Sequence, residues 1–392
     1  MRSSLTQTIR LSRSSKRERT TVKSKGAFVV KIGSSTLVDR HGAPDRPFIA
    51  DLCQQLVALK RDGWQPVLVS SGAAAAGVER LGLPKRPTDI ETLQACCAAG
   101  QASLMEIYAE ELSKLHVACG QILITRKDIV DRKSYLNVRN TMERLLELGV
   151  IPIVNENDTV SVSEFTFGDN DMLGAIVATI VYAKRYVILS DVVGLYDQNP
   201  ATHPEAHLIP QVSQITPEIA AMAGGAGSAV GTGGMKSKLK AARVMLACGI
   251  EMVICEGRRP HVLTEIAQGK AIGTRFAKDE PASNHERGRK LWIGLAGIPH
   301  GTLIVDAGAQ KALTEQGSSL LPVGVVKSEG TYGPGDIVDI QSLDGTLLAR
   351  GLARYSSAQM EKFRALHLDV IARFLDGQEP APAVHRDEML VF

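Results

Sequence analysis

Residues 150–174 read V-I-P-I-V-N-E-N-D-T-V-S-V-S-E-F-T-F-G-D-N-D-M-L-G. The opening run, Val150 to Val154, is continuously apolar, as a strand buried on both faces must be. It breaks into Asn155-Glu156-Asn157-Asp158, a cluster of hydrogen-bonding side chains at the strand's carboxyl end. A short alternating run follows, with Val160, Val162, Phe165 and Phe167 apolar, and predicts a hairpin. Gly168-Asp169-Asn170-Asp171 then opens a second apolar segment, Met172 to Val181. In open α/β sheets ligands collect beyond the carboxyl ends of strands, and helix openings attract polar groups and anions. This stretch therefore predicts a layered α/β domain and supplies the floor of a small-molecule site.

Upstream, Ala27 to Ile32 predicts the first strand, running into Gly33-Ser34-Ser35. Lys31 stands near the end of that strand, where an unpaired ammonium is costly to bury. A snorkelling edge lysine would explain it; beside a Gly-Ser-Ser turn, phosphate binding explains it better. Pro47 to Arg61 is an amphipathic helix pattern. Val67 to Val69 is a second strand, followed by Ser70-Ser71-Gly72-Ala73-Ala74-Ala75-Ala76-Gly77. Small residues there allow either bare amide donors at a ligand or close helix packing. Helical patterns at 91–115 and 137–148 bracket a strand at 121–125.

Downstream, Tyr186 to Leu189 is a strand ending in the polar turn that begins Ser190-Asp191. A glycine-rich loop follows, closing on Thr232-Gly233-Gly234-Met235-Lys236-Ser237-Lys238, before a helical run at 239–248. Glycine-rich backbone leading into a helix with two lysines suits a polyphosphate. Positive charge at a helix N-terminus is otherwise unfavourable, and the order of residues is not that of a Walker A loop.

The alternation of strands and helices predicts a three-layer αβα sandwich with a mainly parallel sheet over 26–276. A charged, broken segment at 277–298 reads as a linker. Short strands with turn signals over 299–380 predict a small, mostly β module, with 381–392 as a C-terminal tail. Residues 1–25 are basic and Ser/Thr-rich, with Glu18 the only acid. They read as a disordered tail rather than a transit peptide, because their few apolar residues form no helical stripe.

The chain has 392 residues, 44% hydrophobic and 22% charged, enough for more than one core. A net charge of +3 gives no global pull towards nucleic acid. The six cysteines lack metal-type spacing and mostly lie in apolar runs, as buried residues of a reducing cytoplasm do. No apolar run reaches the roughly 18 residues that span a bilayer.

Two separated lysines with glycine-rich anion loops face acids and amides at Asp158, Asp169, Asn170 and Asp171. Phosphoryl transfer uses such a set, since it rests on positioning and charge neutralisation. The acids could organise the lysines, hold Mg²⁺ or bind a substrate ammonium. No histidine or cysteine falls in these motifs, which points to an acceptor needing no general base. A glutamate-type carboxyl, with a pKa of about 4.3, is already ionised at neutral pH.

These residues resemble the glutamate 5-kinase branch of the amino acid kinase family over nearly the whole chain after residue 25. The likeness rests on Val30-Lys31-Ile32-Gly33-Ser34-Ser35, Ser70-Ser71-Gly72-Ala73, Asn155-Glu156-Asn157-Asp158, Gly168-Asp169-Asn170-Asp171, Ser190-Asp191 with Gly194-Leu195-Tyr196, and Thr232-Gly233-Gly234-Met235 with Lys238. The β module resembles a PUA domain, a fold often found in RNA-modifying enzymes.

The resemblance implies ATP- and Mg²⁺-dependent phosphorylation of the side-chain carboxylate of L-glutamate, the first step towards proline. It implies that Lys31 and Lys238 neutralise the transferred phosphoryl group and Asp171 organises them. Ser71, Asp158 and Asn170 would contact glutamate, with Asp169 nearby. Ser190, Asp191 and the loop from Thr232 through Gly233, Gly234, Met235, Lys236 and Ser237 to Lys238 would hold ATP, and no residue is assigned to a metal. Proline as feedback inhibitor and a homodimer or homotetramer are also implied. Met172, where a polar residue is expected, and Ser190, where threonine is common, depart from the pattern. The rival reading is an RNA-binding or RNA-modification factor acting through the β module; it needs an exposed basic and aromatic surface, and the chain is only 4% aromatic.

Overall fold

The computed structural model describes residues 24–161, 170–223, 234–278, 299–375 and 379–392. The predicted hairpin falls largely on 162–169, outside the described residues, as do the tail up to residue 23 and most of the linker.

Eight strands form the first sheet: β1 (Gly26–Ile32), β2 (Trp64–Val69), β3 (Cys119–Ile124), β4 (Ile151–Glu156), β5 (Arg185–Ser190), β6 (Gln211–Val212), β7 (Glu251–Glu256) and β8 (Thr274–Phe276). Their order is β3-β4-β2-β1-β5-β7-β8-β6, parallel throughout except for the β7–β8 pair. Period-two alternation sends neighbouring side chains to opposite faces. Phe28, Val30, Val187 and Leu189 therefore enter one core, and Val29, Tyr186 and Ile188 the other.

On the first face pack α1 (Ser34–Leu37), α2 (Arg46–Arg61), α3 (Ala73–Arg80) and α4 (Ile90–Lys114). On the second pack α5 (Arg126–Val130), α6 (Arg132–Glu147) and α7 (Asn170–Ile180). There follow α8 (Pro217–Met222) and α9 (Met235–Ala247) on the second face, and α10 (Val262–Ala267) on the first. The result is the expected sandwich, with helices on both sides of a mostly parallel sheet.

Three expectations need correction. β4 does not break at Asn155: Asn155 and Glu156 continue it, paired with Leu123 and Ile124 of β3, because their side chains find polar partners inside the fold. α6 starts at Arg132, five residues before 137, because Asp131 caps it by accepting from the Ser134 amide. α9 starts at Met235, four residues before 239, and the two lysines expected in its first turn, Lys236 and Lys238, lie there.

The second sheet contains β9 (Gly301–Val305), β10 (Val325–Gly330), β11 (Ile337–Ser342), β12 (Leu347–Ala353) and β13 (Val384–Val391), ordered β10-β9-β11-β12-β13. It carries α11 (Ala307–Gln316), unforeseen in the sequence, and α12 (Ser357–Phe363). The expected C-terminal tail is instead β13, antiparallel to β12. Its charged centre, Arg386-Asp387-Glu388, hides a strand whose Val384, Met389 and Leu390 are buried. Phe392, immediately beyond, packs against the second-face core of the larger sheet.

Candidate active site

Strands β1 and β5 are neighbours, yet the chain leaves β1 towards β2 and leaves β5 towards β7. Such a reversal opens a crevice at the carboxyl ends of the two strands. Lys31 stands at the end of β1, and its face of the sheet is covered by α7. Asp171 sits in the first turn of α7, fully buried. Its Oδ1 is 2.5 Å from Lys31 Nζ, and its Oδ2 is 3.2 Å from Lys238 Nζ. Ser237 Oγ donates to Oδ2 at 2.8 Å.

Both lysines are almost completely buried. Burial pushes the Asp171 carboxyl up, but the two ammonium groups and the serine hydroxyl outweigh it and hold the group below its ordinary range. Two positive side chains thus converge on one negative one, all buried, near the carboxyl end of β1, a polarity suited to an anion.

Next to Asp171, Asn170 faces the other way. Its Nδ2 donates to Ser70 O and Ser71 Oγ, both at 2.8 Å, and to Asn155 Oδ1 at 3.1 Å. Asn155 Nδ2 in turn donates to Gln101 Oε1 at 2.9 Å. One helix opening therefore joins the lysine centre to an amide network at the ends of β2 and β4.

The small residues after β2 serve close packing of two helices. A Cβ on Gly77 would lie 1.8 Å from Cys96 O, and one on Gly100 would lie 1.9 Å from Ala73 O. α3 and α4 therefore touch backbone to backbone. That contact carries Gln101 to Asn155, while Gly72 at φ +86° turns the chain from Ser71 into α3.

Asp158 is half-buried beyond β4. Desolvation raises its carboxyl pKa, against the lowering effect of a hydrogen bond from the Cys97 thiol and of the Arg86 charge. Burial, reinforced by Asp158, pushes Cys97 itself up to about 12. On the other side of the crevice, Ser190 is buried and its Oγ donates to Asp191 Oδ1 at 3.0 Å. Gly194 lies against Thr274, whose Oγ1 accepts from Leu195 N at 2.8 Å, which ties this turn to β8. Gly234 caps α9, and Lys236 is exposed. Met172 is partly buried against the second-face core.

The fold thus brings Lys31, Lys238, Ser237 and Asp171 together, with Asn170 and Ser71 adjoining them. Asp169, Thr232 and Gly233 lie outside the described residues. Asn155, Gln101 and Tyr186 join the network without having been singled out as site residues. Asn155 could have been chosen from its motif, whereas Gln101 lies in a helical run with no local signal.

The sequence model of the amino acid kinase family matches residues 26–256, and that of the PUA domain matches residues 301–375. The chain is 43% identical over 365 residues to glutamate 5-kinase of Herpetosiphon aurantiacus, covering 93% of this chain and 98% of that one. It is 44% identical over 373 residues to the enzyme of the same name from Myxococcus xanthus, covering 95% and 98%. Among solved structures, a carbamate kinase from Giardia lamblia bound to AMP-PNP aligns with a TM-score of 0.48 at 17% identity, covering 65% of this chain and 99% of that one. The chain belongs to the amino acid kinase family and, within it, to the glutamate 5-kinases.

Proposed function

We propose that the chain transfers the terminal phosphoryl group of ATP to the side-chain carboxylate of L-glutamate, giving L-glutamyl 5-phosphate and ADP. The observation that carries this reading is the convergence of Lys31 and Lys238 on Asp171, one residue from Asn170. The reaction brings one anion onto another, and the repulsion is relieved by ammonium groups fixed in a water-poor site. Asp171 holds both lysines in place and need not touch the phosphate. The acceptor carboxylate is already ionised, so no general base is required.

Asn170, Ser71 and Asp158 are assigned to glutamate, with Asp169 nearby. Asp158 would receive the α-ammonium, which a blocked amino group could not supply. Ser190, Asp191 and the segment from Thr232 to Lys238 are assigned to ATP. Among the described residues no cluster of three or more His, Cys, Asp or Glu side chains could hold a metal ion. Mg²⁺ would be held through nucleotide phosphates, water and at most one or two carboxylates, the usual arrangement for this ion. When bound, Mg²⁺ would supply further neutralisation of phosphate charge.

Inhibition by proline and assembly as a homodimer or homotetramer belong to the same proposal and are supported by the family resemblance. A cytoplasmic location is supported by six cysteines that are all free thiols. No helix among the described residues is long and apolar enough to cross a membrane.

The test is ADP release with glutamate, N-acetylglutamate, aspartate and UMP as acceptors. Turnover with glutamate far above the other three is expected. Equal turnover with UMP, or none with glutamate, would overturn the assignment.

A further inference from the structure

A tyrosine inside a buried parallel strand is chemically out of place unless its hydroxyl is satisfied. Tyr186, the second residue of β5, is fully buried on the face covered by α7. Its hydroxyl donates to the main-chain carbonyl of Asp171 at 2.8 Å. A carbonyl oxygen has two lone pairs, so this bond adds to the helical one. The ring approaches α7 only because residue 174 is glycine. A Cβ there would lie 2.3 Å from the phenol oxygen and 2.7 Å from Cζ.

The strand register makes this contact a ruler. Tyr186 is paired with Val29 of β1, and two residues further along Ile188 is paired with Lys31. The phenol therefore pegs the first turn of α7 to the strand pair that carries Lys31. Asp171 and Asn170, the residues facing the two halves of the site, are both in that turn.

We propose that Tyr186, seated against Gly174, is a positioning residue that fixes Asp171 between Lys31 and Lys238 for phosphoryl transfer. The inference rests on the functional reading above for its chemistry, but its geometric part is testable separately. Displacements of about 1 Å at a site of this kind cost up to about a hundredfold in rate. Tyr186→Phe keeps the ring and removes only the peg, so kcat should fall about tenfold with KM for ATP and glutamate within about twofold.

Thermal stability against pH gives the second readout. Lys31 from β1, and Lys238 and Ser237 from α9, face the Asp171 carboxylate. Its depressed pKa contributes stability above the unfolded carboxyl pKa, and that contribution is lost as pH falls through the folded one. If the peg maintains this coupling, the stability gap between wild type and Tyr186→Phe narrows on acidification. Loss of a merely structural neutral hydrogen bond would leave the gap constant.

A double variant, Tyr186→Leu with Gly174→Ala, refills the space without a hydroxyl. Its kcat should stay at or below the Tyr186→Phe level even if its stability is higher. Wild-type kcat in Tyr186→Phe or in the apolar pair, or a pH-independent gap, would overturn the proposal. If wild type releases no ADP with glutamate, the functional reading fails, and the pH dependence of the gap still decides the role of Tyr186.

Discussion

The two sheets treat charge in opposite ways. In the larger one, Lys31 and Lys238 meet Asp171 almost out of reach of water, two positive groups to one negative. In the smaller one, cations lie beside acids: Arg350 by Asp339, Arg354 by Glu388, Arg364 by Glu361, Lys327 by Glu329, and Arg386 by Asp387. Most of these pairs are substantially exposed, and such pairs contribute at most about 1 kcal/mol each. The first arrangement is expensive to assemble and suits the handling of an anion. The second is ordinary surface compensation.

The contrast can be broken from either side. Asp171→Ala should have the largest effect. It leaves two buried ammonium groups facing each other and should destabilise the fold by about 3–5 kcal/mol. Glutamate-dependent ADP release should disappear, and chemical denaturation beside the turnover assay would measure both. Arg350→Ala, in the better buried pair of the smaller sheet, should lower stability by about 1–3 kcal/mol because Asp339 loses its partner. The same assay should show turnover essentially unchanged.

Titration sharpens the contrast. Desolvation raises the Asp158 pKa, so protonation begins at a higher pH than for a free carboxyl. If Asp158 holds the glutamate ammonium, KM for glutamate should rise as pH falls through that raised value, and Asp158→Asn should abolish the dependence. The linkage has the opposite sign to that of Asp171. A raised carboxyl pKa disfavours the charged form in the fold, so without substrate Asp158→Asn should be slightly stabilising at neutral pH. The smallest effect is expected from Cys97→Ala, which removes the thiol donor to Asp158. The inflection in KM should move to higher pH, with kcat unchanged; an inflection that stays in place would remove Cys97 from the network.

The residues that told most in the sequence were those that contradict their surroundings. Lys31 in an apolar strand and Asp171 at the head of an apolar helix were visible because burial without partners is costly. The sandwich was legible because parallel strands buried on both faces read as continuous apolar runs. Contacts decided by backbone proximity stayed hidden. Nothing local says that Gly77 meets Cys96, that Gly174 makes room for Tyr186, or that Gln101 reaches Asn155 across 54 positions. Strand β13 was missed because the charged run Arg386-Asp387-Glu388 interrupts its apolar residues and reads as a tail, and the start of α6 because a polar first turn carries no hydrophobic signal. Met172, where a polar residue was expected, packs partly buried against the second-face core.

The most direct test of the paired lysines is the turnover of Lys238→Ala with glutamate and ATP, alongside its circular dichroism. With the fold intact, kcat should drop by about 10²–10³-fold, the loss seen when one fixed donor to developing charge is removed. A folded Lys238→Ala protein with near-wild-type kcat would contradict the assignment of this lysine to the transferred phosphoryl group.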